Sequence, residues 1–131
     1  MIVVDTNVLA YLYLPGPFTR LAEALVRKDS DWAAPILWRS EFRNILAALM
    51  KRSTLTLEQA RAIQAEAQEQ MAGLEHEVDS DRVLELARDS RCTAYDCEFV
   101  ALAAELGVSL VTNDAKLLAA FPGHAVALTC A

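Results

Sequence analysis

A chain of 131 residues, 54% of them hydrophobic and 23% charged, fits one packed domain over residues 1–131 that buries roughly 70% of its unfolded surface, and the composition excludes intrinsic disorder. No apolar run approaches the ~20 residues needed to cross a bilayer, and Met1-Ile2-Val3-Val4 lacks the charged start of a signal peptide, which reads as cytoplasmic with no membrane partner. The net charge of −6, from 12 basic and 18 acidic residues, argues against a general nucleic-acid binder, although the stretch from Arg39 to Arg61 is locally basic.

In chain order, Ile2 to Val4 is an apolar run that stops on a carboxylate, Asp5, as a strand buried on both faces would at its carboxyl end. Val8 to Leu14 is apolar and ends at Pro15-Gly16-Pro17. A helix is predicted over Phe18–Arg27 and a short strand over Trp32–Ala34, closed by Pro35. From Ile36 to Met50 the residues Trp38, Phe42, Ile45, Leu46 and Leu49 share a helical stripe bordered by Glu41. Thr56-Leu57-Glu58-Gln59 has the form of a capping box for a helix running to about Met71. Leu74 to Val78 alternates as a strand with one wet face. Asp79 or Ser80 caps a helix ending near Ser90, and a further helix spans Thr93–Leu106, with Gly107 suited to its C-terminus. Val108–Thr112 is a buried strand, Ala115–Phe121 a helix and Ala125–Leu128 a last strand. The order β-α-β-α-α-β-α-α-β-α-β predicts an α/β three-layer sandwich with a mainly parallel sheet of about five strands.

Asp5, Glu41, Asp96 and Asp114 differ from the other acids because each follows or flanks an apolar segment at the edge of an element. Each also has a structural explanation. Asp5 and Asp114 are favoured cap residues, Glu41 stands near Arg39 and Arg43, and Asp96 suits the third position of a capping box led by Thr93. Together they suggest convergence, because two end strands at the carboxyl edge of the sheet, where ligands of such sheets gather, and two lie on early helical turns that can face it. Carboxylates ~5 Å apart repel by about 3 kcal/mol at an effective dielectric of 20, so such a cluster needs a cation. Hard oxygen donors select Mg2+ or Mn2+, which retain waters and substrate phosphate oxygens. Zinc and a disulfide framework are disfavoured, since His76 and His124 lack ligand-like neighbours and Cys92, Cys97 and Cys130 contain no Cys-x-x-Cys pair. Trp32 and Trp38 are read as core or dimer contacts.

Four segments, Val-Asp-Thr-Asn-Val-Leu, Ser-Glu-Phe-Arg-Asn-Ile-Leu, Tyr-Asp-Cys-Glu-Phe-Val-Ala-Leu-Ala and Leu-Val-Thr-Asn-Asp-Ala-Lys-Leu-Leu, resemble in order and spacing the motifs of PIN-domain proteins, and within them the VapC toxins. The resemblance implies a metal-dependent endoribonuclease that cleaves structured RNA to 5′-phosphate and 3′-hydroxyl ends, with a cognate VapB-type antitoxin and a homodimeric state. It carries the acidic positions over to Asp5, Glu41, Asp96 and Asp114, with Asn7 as the residue bracing the first acid and Thr112 as a hydroxyl ahead of the last. Of the adjacent Asn113 and Asp114, Asp114 is expected to face the site and Asn113 to lie in the turn. Arg39 and Arg43, one helical turn apart beside Glu41, are candidate RNA-backbone contacts; as plain alternatives they are solvated or ion-paired. Two other readings stay open. One is a catalytically silent PIN-like interaction module; the other is a flavodoxin-like phosphoacceptor, for which strand one offers only Asp5 and Lys116 falls inside a helix.

Overall fold

In the computed structural model, which describes residues 1–131, the apolar start of the chain is strand β1 (Ile2–Val4), at the centre of a five-stranded sheet. Val3 and Val4 are both essentially inaccessible and point to opposite faces, so each face must be covered. Strands β2 (Trp32–Pro35), β3 (Glu75–His76), β4 (Leu110–Thr112) and β5 (Ala125–Ala127) give the order β3-β2-β1-β4-β5, with every pairing parallel. Val3 sits opposite Ala33 on one side and Leu110 on the other. The three-layer α/β architecture is therefore the one expected.

Seven α-helices surround the sheet, one more than the sequence suggests: α1 (Thr6–Tyr13), α2 (Thr19–Lys28), α3 (Trp38–Lys51), α4 (Leu57–Gln70), α5 (Ser80–Arg88), α6 (Ala94–Leu106) and α7 (Ala115–Ala120). The addition is α1, whose run from Val8 to Leu14 is too uniformly apolar to show a helical period. Its end coincides with the Pro15-Gly16-Pro17 break. The helices α1 to α4 pack on one another, while α6 pairs with α5 and lies across β1, β2 and β4. Trp32, Trp38, Phe42 and Phe99 are among the largest side chains fully buried, so both tryptophans are core residues. Their indole N–H groups are satisfied, by the Asp29 carbonyl at 2.7 Å and the Glu75 carboxylate at 3.1 Å.

Local signals account for most helix ends. Thr56 and Gln59 form the reciprocal capping box, Asp79 caps α5 through the N–H groups of Asp81 and Arg82, and Gly107 closes α6 in the left-handed conformation at φ 66°, which glycine adopts without a Cβ penalty. Strand β3 is two residues long rather than five. Its only partner is the short edge-side stretch of β2, where Ala34 and Pro35 face Glu75 and His76. No helix is long and apolar enough to cross a membrane.

Candidate metal site at the carboxyl edge of the sheet

With the strand order β3-β2-β1-β4-β5, the chain departs from β1 in one direction and returns to β4 on its other side. The crevice outside the carboxyl ends of β1 and β4 is thus the topological switch point where parallel sheets bind ligands. Asp5 follows β1 there, with its N–H donating to the Val111 carbonyl at 3.0 Å. Asp114 lies two residues beyond β4. Glu41 is in the first turn of α3, which follows β2 directly, and Asp96 is in the first turn of α6, which packs on β1, β2 and β4. All four acids are half-buried. Each sits at the N-terminal end of a helix, where the positive end of the backbone dipole offsets part of their repulsion, typically ~0.3–1 kcal/mol apiece.

Only two polar residues are buried in the whole chain, Thr6 and Thr112, and both hydroxyls donate to these acids. Thr112 Oγ1 donates to Asp5 Oδ2 at 2.7 Å and accepts from the Asp114 N–H at 3.0 Å. Thr6 Oγ1 donates to Glu41 Oε1 at 2.7 Å. A charge-assisted bond of that length fixes the carboxylate's orientation, and it occupies one oxygen of each acid. Burial pushes the Asp5 carboxyl above its ordinary range. The bonds from Thr112 and the Thr6 N–H oppose that shift, and the charges of Asp96 and Asp114 add to it. Burial likewise raises Glu41, against its bond from Thr6 and with the charges of Asp5, Asp96 and Glu98. The acids therefore feel one another across the switch point, although no three His, Cys, Asp or Glu side chains close into a ready-made metal cage. The donors are all oxygen, the chemistry that hard divalent ions take.

The ordinary explanations for the acids fare unequally. Asp5 stands at the N-cap of α1 but makes no capping bond with its side chain, because the carboxylate is held by Thr112. Asp96 is half of a capping box: Thr93 accepts from its N–H at 3.1 Å, but its own carboxylate does not reach back. Glu41 pairs with neither nearby arginine. Asp114 does cap α7, accepting the Lys116 N–H at 2.8 Å through Oδ1, so one of its oxygens is engaged. Asn113 lies in the turn between β4 and α7, with a buried side-chain N–H group that has no partner.

The brace expected of Asn7 falls elsewhere. Asn7 is exposed and does not bond to Asp5, whose donors are Thr112 and Thr6. Thr6 is the residue that sequence reasoning missed. Its one signal was a hydroxyl directly after the acid, on the first turn of an otherwise apolar helix. Arg39 is engaged with Glu75, its Nε lying 2.8 and 3.1 Å from the two carboxylate oxygens. Arg43 is exposed and donates to Ser40 at 3.1 Å. It also borders a groove of about 270 Å³ between α3 and α4, lined by Leu46, Met50, Leu57, Ala60 and Arg61.

The family model of the PIN domain matches residues 2–121. No curated protein matches the chain. Among solved structures the chain is similar to FitAcB from Neisseria gonorrhoeae, with a TM-score of 0.78 and 17% identity over 98% of this chain and 99% of that one. PAE2754 from Pyrobaculum aerophilum gives a TM-score of 0.75 and 22% identity over 98% and 83%. A toxin–antitoxin complex from Klebsiella pneumoniae gives 0.67 and 17% over 98% of each. At these identities the likeness is one of fold.

Proposed function

The chain belongs to the PIN-domain family, and from that premise we propose that it is a divalent-metal-dependent endoribonuclease, the toxin of a VapC-type toxin–antitoxin pair. The observation that carries the reading is the use of the chain's only two buried polar residues: Thr112 and Thr6 each hold one oxygen of a carboxylate at the switch point. A buried hydroxyl aimed at a carboxylate already penalised by burial orients that carboxylate for something outside the fold.

In this reading Asp5, Glu41, Asp96 and Asp114 hold Mg2+ or Mn2+, directly or through water. A divalent ion there supplies charge neutralisation and activation of water for in-line attack on a phosphodiester. Thr112 ties Asp5 and the backbone of Asp114 into one unit, so the two acids beside β1 and β4 keep a fixed separation. Thr6 does the same for Glu41 across the α1–α3 contact. Asp96 keeps its carboxylate free because Thr93 alone performs the cap.

The partner reading has its own support. FitAcB and the Klebsiella pneumoniae toxin–antitoxin complex share the fold, which supports a cognate VapB-type antitoxin as partner. A homodimer completes the proposal. The rival, a silent interaction module, draws on the open spacing of the acids. The discriminating experiment incubates the protein with structured RNA and Mg2+ or Mn2+, with and without EDTA, beside Asp5→Asn. Metal-dependent cleavage lost in the variant supports the nuclease; equal cleavage by both proteins refutes the site, and no cleavage of any RNA favours the silent module.

A further inference from the structure

Six large hydrophobic side chains are exposed, and two of them, Tyr95 and Ile36, are placed at the sheet edge that carries the acids. Ile36 directly follows β2 and is 46% exposed; Tyr95 lies in the first turn of α6, next to Asp96, and is 63% exposed. Because α6 packs across β1 and β2, its first turn and the end of β2 share that edge. The backbone at both positions is held, by Thr93 capping α6 and by the Ile36 N–H donating to the His76 carbonyl at 3.0 Å. Neither side chain belongs to the core. Their neighbours Cys97, Phe99 and Val100 do, so the fold does not explain an outward tyrosine here.

The charges around the site sharpen the question of how RNA is gripped. The chain carries −6 overall, Arg39 is held by Glu75, and Arg43 donates to Ser40. Arg43 and Lys116 make no ion pair and can meet phosphate, while an aromatic face supplies a further attraction that needs no cation. Unpaired nucleobases stack on exposed tyrosines.

Resting on the ribonuclease reading above, we propose that Tyr95 is a substrate-positioning residue that stacks an unpaired base adjoining the scissile phosphate. The preferred substrate is then a loop or bulge rather than an intact duplex, since only a splayed base presents its face.

The test uses an RNA hairpin whose cut position is first mapped with the wild-type chain. Tyr95→Ala should raise KM about 5- to 150-fold, the range of one lost base–aromatic stack, with kcat and melting temperature close to wild type. Tyr95→Phe and Tyr95→Trp should restore KM. The defect should persist at high salt, because stacking releases no counterions. On a hairpin made abasic at the adjoining nucleotide, wild type and Tyr95→Ala should cleave alike. Unchanged KM in Tyr95→Ala overturns the proposal, as does a defect that survives on the abasic hairpin. Unchanged cleavage together with weakened binding of a cognate antitoxin would reassign Tyr95 to a protein contact. Absence of cleavage by the wild-type chain would instead sink the nuclease reading, and this proposal with it.

Discussion

Thr112→Val removes one buried hydroxyl while keeping its volume and the strand-favouring branch at Cβ. Two hydrogen bonds disappear, the 2.7 Å donation to Asp5 and the 3.0 Å acceptance from the Asp114 N–H. The position is 0% exposed, so water does not replace the hydroxyl. Losing a donor to an ionised acceptor costs ~1.5–3 kcal/mol and a neutral bond ~0.5–1.5, for a combined loss of about 2–4.5 kcal/mol. For a chain of this size each kcal/mol lowers Tm by about 3–4 °C, so the metal-free protein should melt about 6–18 °C lower at neutral pH. A thermal double-mutant cycle with Asp5→Asn isolates the charged part: the Thr112→Val penalty should shrink by about 1–2 kcal/mol in the Asn background. A penalty below about 1 kcal/mol, or one identical in both backgrounds, would show that Thr112 does not hold Asp5 as argued.

Burial raises the Asp5 and Glu41 carboxyls, so folding favours their protonated forms. Their contribution to stability is complete below the ordinary carboxylate range and is lost as pH rises through the folded-state values, each unit of displacement being worth about 1.4 kcal/mol. Melts of metal-free wild type and Asp5→Asn should accordingly coincide near pH 3 and diverge in favour of Asp5→Asn toward neutrality. A gap constant with pH would refute the sign. Added Mg2+ or Mn2+ should raise the Tm of wild type and leave Asp5→Asn nearly unmoved, as differential scanning fluorimetry can read. Thr56→Ala should cost about 1 kcal/mol in chemical denaturation with cleavage intact, because its capping box lies at α4, away from the acids. Arg39→Ala should cost about 1 kcal/mol or less, with the salt dependence of RNA cleavage unaltered, if its partner is Glu75; a shallower salt slope would show that Arg39 meets phosphate.

Four of the five strands could be read from the sequence because they are apolar runs punctuated by Asp5, Pro35, Gly107 and Pro122, and punctuation is local. The candidate acids could be read for a related reason: a carboxylate ending a buried strand is an anomaly visible within a few residues. What could not be read is who holds them. Thr6 reaches Glu41 over 35 positions and Thr112 reaches Asp5 over 107; such pairs exist only once helices and strands are stacked, and the hydroxyl after the acid does not by itself name its partner. Asp96 shows the limit of a motif. Glutamine at the same place in the Thr56 box closes it, whereas aspartate, one methylene shorter, leaves the carboxylate free. At β3 the alternating pattern from Leu74 to Val78 was a fair strand signal, but its length was set by the short neighbour with which it had to pair.

The Thr112–Asp5 bond also bears on how the chain acquires its chemistry. Closing a contact between the first strand and the fourth carries the entropy of a long loop, and contacts of that range govern the pace of folding. A chain interrupted between α3 and β4 holds Asp5 and Glu41 without Thr112, without Asp114 and without the second wall of the crevice. Partial synthesis or proteolytic loss of that segment therefore leaves the acid cluster unassembled. The site proposed for cleavage arrives in one step with the completed sheet.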